Sequence, residues 1–167
     1  MALIDEGYLE FSELQEKQKL PDAERFQRGP VAVLECIQQI PCNPCEAFCP
    51  FGAITVGSPI TNLPVLDAKK CKGCGTCVAK CPGMAIFVVD KSYSGTKGSV
   101  SFPYEYYPLP QAGDEVAALN RKGKAVGTGK VLKVTNPASF DHTPVVTVET
   151  DLSLTDEVRN IKKGVLK

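Results

Sequence analysis

The sequence predicts an α+β protein: a pseudo-twofold core made of two related halves, followed by a small β-rich unit of partial-barrel type. Three observations predict this. All eight cysteines of the 167-residue chain lie between Cys36 and Cys81. The segment holding them repeats: a shift of 32 residues carries Cys42, Cys45, Cys49 and Pro50 onto Cys74, Cys77, Cys81 and Pro82, Ala53-Ile54 onto Ala85-Ile86, and Val56 onto Val88. After Asp90 the composition shifts to strand-like runs separated by Gly and Pro. Each half of the repeat reads as a cysteine loop, a Cys-Pro turn and a short apolar strand, and such internal repetition implies halves related by a pseudo-twofold axis.

Residues 1–30 read as a polar extension. Ser12 with Gln15 three positions on forms a capping-box pattern, so a short helix is expected over Ser12–Leu20, ended by Pro21. Gly29-Pro30 marks a break, and the cysteine-rich module occupies residues 31–90. Ser92–Gly98, rich in Ser, Gly and Lys, reads as a loop before the β-rich unit of residues 91–150. That unit carries Phe102, Tyr104, Tyr106, Tyr107, Pro108 and Pro110. Strands are expected near Glu115–Leu119, Ala125–Val134 and Val145–Glu149, punctuated by Gly123, Gly127, Gly129 and Asn136-Pro137. Residues 151–167 read as a docking tail with one short helix: Thr155 at the N-cap, Asp156 and Glu157 in the first turn, Lys162 and Lys163 in the last, Gly164 as the stop. A helix so short is unstable alone, so the tail is expected to dock.

Formal net charge is zero, so no strong pull toward nucleic acid or an anionic membrane is expected. No apolar run approaches the roughly 20 residues of a membrane helix. Met1-Ala2-Leu3-Ile4-Asp5-Glu6 carries acids where a secretory signal needs bases. The expected location is the cytoplasm, where thiols stay reduced and a dense group of cysteines points to metal or redox chemistry rather than to disulfides.

Cys71-x2-Cys74-x2-Cys77-x3-Cys81-Pro82 carries that chemistry. It has the spacing of the bacterial iron–sulfur run, in which three cysteines bind one cubane and the fourth binds another. Thiolates two residues apart can curl around one face of a cubane. Gly73 and Gly75 let the backbone pass close to it, and Pro82 turns the chain so that Cys81 points away. The first half departs from this pattern, reading Cys36-x5-Cys42-x2-Cys45-x3-Cys49-Pro50, with Gln39 where the repeat places Cys71. The simplest reading is a longer loop with Cys36 as the missing ligand. Two [4Fe-4S] clusters then use all eight thiols: Cys36, Cys42, Cys45 and Cys81 hold cluster I, and Cys71, Cys74, Cys77 and Cys49 hold cluster II. The alternative makes Cys36 a buried core cysteine, leaving a three-iron centre or a non-cysteine ligand. Zinc prefers separated C-x2-C pairs, which this run is not. Ile37, Ile40, Phe51, Ile54, Val65, Ile86 and Phe87 are expected to exclude water around the clusters.

On these residues, about Val31 to Asp90 resembles the two-[4Fe-4S] bacterial ferredoxins, which implies a dicluster core and one-electron transfer. The stretch Glu35-Cys36-Ile37-Gln38-Gln39-Ile40-Pro41-Cys42-Asn43-Pro44-Cys45, with Cys81-Pro82-Gly83-Met84-Ala85-Ile86-Phe87-Val88-Val89, is similar to something narrower: ferredoxin-like small subunits of FAD-dependent amino-acid dehydrogenases of the proline, hydroxyproline and hydrogen-cyanide-synthase type. That resemblance implies a hetero-oligomer with an FAD-containing subunit and a separate [2Fe-2S] subunit. The competing functions are a free, diffusible ferredoxin with extensions and a structural zinc module.

Other signals are weaker. Gly127-Thr128-Gly129-Lys130 fails phosphate-loop spacing and reads as a turn or bulge in a strand. His142, the sole histidine, lies in an expected loop. Lys69, Lys70, Lys72 and Lys80 flank the second cysteine run and could steer an acidic partner. Tyr104, Tyr106 and Tyr107 are candidates for an interface or, equally, for filling between two domains. No nucleophile–base pair stands out, so the chain is expected to be a carrier and not an enzyme by itself.

Overall fold

The structure is a computed structural model that describes residues 2–162 and 164. Its first segment holds three short helices: α1 (Ala2–Glu6), α2 (Phe11–Glu16) and α3 (Ala23–Phe26). The expected helix over Ser12–Leu20 is displaced toward the N-terminus. Glu10 is its N-cap, and its backbone N–H donates to the Glu13 carboxylate at 2.9 Å, so the reciprocal box sits on Glu10 and Glu13 rather than on Ser12 and Gln15. That register buries Leu14 completely. Leu14 and Phe26, at roughly 1.5–3 kcal/mol each for burial, tie the extension to the rest of the molecule, and Lys19 Nζ donates to the Pro64 carbonyl at 3.1 Å.

The cysteine module contains β1 (Val31–Leu34), α4 (Pro44–Ala47), β2 (Ile54–Thr55), β3 (Val65–Leu66), α5 (Thr76–Lys80) and β4 (Ile86–Asp90). Its strands pair crosswise. β1 runs antiparallel to β4 with Val33 opposite Phe87 and Leu34 opposite Ile86. β2 runs antiparallel to β3 with Thr55 opposite Val65 and Ile54 opposite Leu66. The 32-residue shift converts one register into the other, residue for residue.

Backbone pairing does not stop at Asp90. β4 pairs with β5 (Lys97–Pro103), which pairs with β8 (Val145–Asp151), then β7 (Ala125–Thr135), β6 (Glu115–Leu119) and β9 (Asn160–Ile161). One antiparallel sheet of order β1-β4-β5-β8-β7-β6-β9 therefore spans both the cysteine module and the strands that follow it. The expected loop at Ser92–Gly98 is shorter than its composition implied: Lys97 and Gly98 already belong to β5, opposite Asp151 and Thr150. Gly127 and Gly129 lie within β7, whose pairing shifts register between Val131 and Lys133.

The tail departs from expectation. A 3₁₀ turn over Leu152–Leu154 leads to a turn and then to β9, which adds to the edge of β6 with Ala118 opposite Ile161. Thr155 closes the end of that 3₁₀ turn instead of starting a helix; it is fully buried and its hydroxyl donates back to the Leu152 carbonyl at 2.8 Å. Burying Val158 and Ile161 on the sheet outweighs a solvated helix turn. Lys163, expected in that helix, lies outside the described residues. A single apolar core runs from Val31, Val33 and Val78 through Val100, Phe102 and Tyr104 to Val116, Val131, Val146 and Val148.

Candidate metal centre

The two cysteine loops are built alike. Asn43 and Pro44 start α4, which buries Cys45. In the second half Gly75, in the left-handed region at φ +84, starts α5, which buries Cys77. Pro50 and Pro82 follow Cys49 and Cys81, and the next turns reverse the chain through left-handed residues at equivalent places: Gly52 at φ +56 and Met84 at φ +49. The Ala53 N–H donates to Cys49 Sγ at 3.3 Å and the Ala85 N–H to Cys81 Sγ at 3.4 Å. These bonds are again one repeat apart. Two further contacts reach sulfur in the second loop: the Ala32 N–H donates to Cys71 Sγ at 3.4 Å, and Thr76 Oγ1 lies 3.5 Å from Cys74 Sγ.

Gly73 is needed for a reason other than approach to a cluster. A Cβ at this position, at φ +64, would sit 2.6 Å from the Cβ of Pro30 and 2.7 Å from its carbonyl oxygen. The close neighbour is the Gly29-Pro30 break. Arg25 holds that break against the loop by donating to the carbonyls of Ala68 (2.7 Å), Gly29 (3.0 Å), Pro30 (2.9 Å) and Cys71 (2.9 Å).

The eight thiols surround two spaces. Cys71, Cys74, Cys77 and Cys49 line one, with Phe51, Ile54 and Val88. Cys36, Cys42, Cys45 and Cys81 line the other, with Ile40, Pro64 and Ile86. Each set takes three thiols from one half of the repeat and the fourth from the other half. None of the eight is in a disulfide. Among the described residues, no three His, Cys, Asp or Glu side chains converge closely enough to hold a single metal ion. The sulfurs ring a space instead of meeting at a point.

Electrostatics follow the same grouping. Burial pushes the Cys77 thiol up to about 12, and Cys71, Cys74 and Cys49 add to it. Burial, then Cys81, pushes Cys45 up to about 11, with Cys42 and Cys36 contributing. Cys36 is raised by burial and then by Cys81. Facing thiols of this kind resist ionising together unless a cationic centre accepts the thiolates, and metal binding then releases their protons. The donor set therefore suits an iron–sulfur group: soft, all-sulfur, and four to a space.

The expected apolar lining is partly present. Ile54, Ile86 and Phe87 are buried and Ile37 is half-buried, whereas Ile40, Phe51 and Val65 are exposed. Val65 lies on the two-stranded β2–β3 pair, outside the seven-stranded sheet, and has no layer over it. Of the lysines, Lys80 is engaged: it pairs with Asp141 and lies 4.5 Å from the centroid of the Phe48 ring. Lys69, Lys70 and Lys72 remain exposed. Tyr104 is buried and meets Tyr106 edge-on at 5.5 Å, while Tyr106 and Tyr107 are exposed. His142 lies in an exposed turn at φ +65.

Residues 64–87 match the 4Fe-4S binding domain family. That match gives the chain at least one [4Fe-4S] cluster and the character of an iron–sulfur electron carrier. Over 48 residues the chain is 42% identical to a subunit of the Na(+)-translocating ferredoxin:NAD(+) oxidoreductase complex of Acetobacterium woodii, covering 29% of this chain and 14% of that protein. Over 47 residues it is 47% identical to a subunit of the ion-translocating oxidoreductase complex of Methanosarcina acetivorans, covering 28% and 17%. A third relative, Protein Pixie of Drosophila melanogaster, is 27% identical over 100 residues, covering 54% and 16%. The chain thus spans about a sixth of the length of these relatives. No solved structure matches it significantly. Among the described residues, no helix is long and apolar enough to cross a membrane.

Sequence reasoning missed a buried charge cluster beside the first site. Glu35 accepts from Arg159 Nε at 2.7 Å and, through both oxygens, from Arg121 Nη2 at 2.5 Å and Nε at 2.8 Å. Burial pushes the Glu35 carboxyl up, but the Arg121 hydrogen bond and the charges of Arg159 and Arg121 outweigh it and hold the group below its ordinary value. The one signal in the sequence was an acid closing a fully apolar strand, Val31-Ala32-Val33-Leu34-Glu35, directly before Cys36.

Proposed function

We propose that the chain is an electron-transfer subunit with a pseudo-twofold, dicluster ferredoxin-like core. It holds one [4Fe-4S] cluster through Cys36, Cys42, Cys45 and Cys81 and a second through Cys71, Cys74, Cys77 and Cys49. The observation that carries this reading is the pair of spaces, each ringed by four thiols with one thiol crossing over from the other half. The mirrored registers of β1–β4 and β2–β3 support the twofold relation. The placement of Cys36 in the first ring favours a fourth ligand there over a core cysteine.

When bound, each cluster takes up and gives back one electron without making or breaking a bond in the protein. The chain's own residues set the conditions. Ala53 and Ala85 donate N–H groups to the two crossing sulfurs, and Ala32 donates to Cys71. Such bonds stabilise thiolate charge and tune the potential. Ile54, Ile86 and Val88 keep water from the inner side, while Cys74 on one ring is exposed and offers a short exit for charge.

The electrons come, in this proposal, from an FAD-dependent dehydrogenase subunit in a cytoplasmic hetero-oligomer, with a [2Fe-2S] subunit as a further member. The support is the resemblance of the Glu35–Cys45 and Cys81–Val89 segments, together with more than 70 residues after the module beyond what cluster binding needs. Anaerobic purification from the native host tests it. The expected result is a brown complex containing FAD and, by EPR after reduction, two [4Fe-4S] signals from this chain. Recovery as a lone carrier reduced by a generic ferredoxin reductase would instead make it a diffusible ferredoxin. Recovery in an ion-translocating membrane complex would replace the flavoprotein partner.

A further inference from the structure

We infer that Glu35, Arg121 and Arg159 form a built-in counter-charge for the cluster held by Cys36, Cys42, Cys45 and Cys81, raising its reduction potential over that of the same cluster without them. This rests on the two-cluster reading above.

The charge cluster is buried and tightly made. The side chains of Arg121, Glu35 and Arg159 are 7%, 5% and 4% exposed. Backbone carbonyls fix the guanidiniums: Arg121 Nη1 donates to Asp156 at 2.8 Å, and Arg159 Nη1 donates to Thr155 at 3.0 Å and Val158 at 2.6 Å. The Arg159 guanidinium also lies 4.9 Å from the centroid of the Phe87 ring, and its Nη2 has no hydrogen-bond partner among the described residues. Two guanidiniums face one carboxylate, so one positive charge is left over. The nearby Asp156 carboxylate is engaged by Lys91 at 2.7 Å. A surplus buried charge is costly unless something of opposite sign lies near.

The cysteine ring opens onto the same cleft as this charge cluster. Glu35 is bonded to Cys36, and Glu35, Arg121, Arg159, Cys36, Cys42 and Cys81 share the lining of one cleft. Four thiolates around a cubane carry net negative charge, and reduction adds one electron with no compensating proton. A fixed positive charge nearby favours the reduced form.

The second site is built differently: its guanidinium, Arg25, is held by the carbonyls of Ala68 and Cys71, and the acid equivalent to Glu35 takes no part. The repeat places Asp67 where Glu35 stands, and even the backbone bond is retained: the Glu35 N–H donates to Ala85 at 2.8 Å, the Asp67 N–H to Ala53 at 2.7 Å. But Asp67 is 45% exposed and pairs with Lys70, itself 61% exposed, at 3.4 Å. Water and salt screen that pair. Arg121 and Arg159 come from the chain added after the module, and both reach the first acid. A role for that added chain follows: it supplies the counter-charge at the first centre, whereas the N-terminal extension supplies Arg25 at the second.

The test is an anaerobic redox titration of the full-length chain followed by EPR, comparing wild type with Arg121→Gln, Arg121→Lys and Glu35→Gln. Arg121→Gln should make electron uptake at one cluster about tenfold less favourable, about 59 mV lower, and leave the other unmoved. Glu35→Gln, which enlarges the surplus, should shift the same cluster upward. Arg121→Lys, which keeps the charge, should stay near wild type. A merely structural role would not reverse sign between Gln variants of opposite charge. If Glu35→Gln does not fold, the Arg121 pair decides alone. Unmoved midpoints, or shifts of equal size in Arg121→Gln and Arg121→Lys, overturn the inference. A wild-type protein without two [4Fe-4S] signals overturns instead the reading beneath it.

Discussion

The two halves of the cysteine module share a backbone and differ in what covers them. The second half has the regular Cys71–Cys74–Cys77 spacing, an exposed Asp67–Lys70 pair and two further exposed lysines, Lys69 and Lys72. The first half has the longer Cys36–Cys42 loop, and its equivalent acid is buried under two arginines from the C-terminal part of the chain. Local sequence fixes the cysteine loops, whereas distant chain fixes their electrostatic surroundings. The same backbone is used twice, and elements distant in the chain give the two equivalent acids unlike surroundings.

The largest expected effect breaks that comparison at the sulfurs. Cys77→Ser, in the most buried thiol of the regular ring, should remove one cluster and lower iron from about eight to about four per chain, read by iron and sulfide analysis. Cys36→Ala, in the irregular ring, should cost about one iron and leave a three-iron EPR signal. Unchanged iron in Cys36→Ala would return Cys36 to the core.

Next come the equivalent acids. Glu35→Gln removes one side of a buried charge cluster and should destabilise by about 3 kcal/mol or more; Asp67→Asn should cost less than about 1 kcal/mol. Denaturant titration measures both. The pH dependence should differ likewise. Because the Glu35 carboxyl is held below its ordinary value, its contribution is complete above the unfolded-state value and is lost as pH falls through the lower folded one. Wild type should therefore lose stability on acidification below the ordinary carboxylate range, more steeply than Glu35→Gln does. Equal slopes would remove any stabilising role for the carboxylate.

The smallest effect lies in the paired turns. Met84 adopts the left-handed conformation that Gly52 adopts one repeat earlier. Gly52→Ala should destabilise by about 1–2 kcal/mol. Met84→Gly should be neutral or stabilising by up to about 1 kcal/mol, because the relief of the Cβ clash is offset by the greater freedom of glycine in the unfolded chain. Thermal unfolding of both variants checks the difference in sign.

Much of this was legible in the sequence. The repeat located the paired cysteine loops, and alternating apolar runs located β6, β7 and β8 to within about two residues. What escaped was long-range. Nothing local marks β4 as a strand that will pair with β5, or β9 as an edge strand on β6. Thr155-Asp156-Glu157 with Lys162 carries helix-cap chemistry, yet Val158 and Ile161 bury themselves on the sheet instead. Glu35 meets Arg121 and Arg159 across 86 and 124 residues of chain, and a lone arginine in a hairpin turn such as Arg121 looks like any solvated base. Ser12 was a better N-cap by type than Glu10, but only the Glu10 start buries Leu14.

The most direct test of the central claim is a count of iron, acid-labile sulfide and zinc per chain in anaerobically purified protein. Two cross-linked rings predict about eight iron and eight sulfide with negligible zinc. About four of each, or zinc in place of iron, would contradict the pairing of thiols across the repeat.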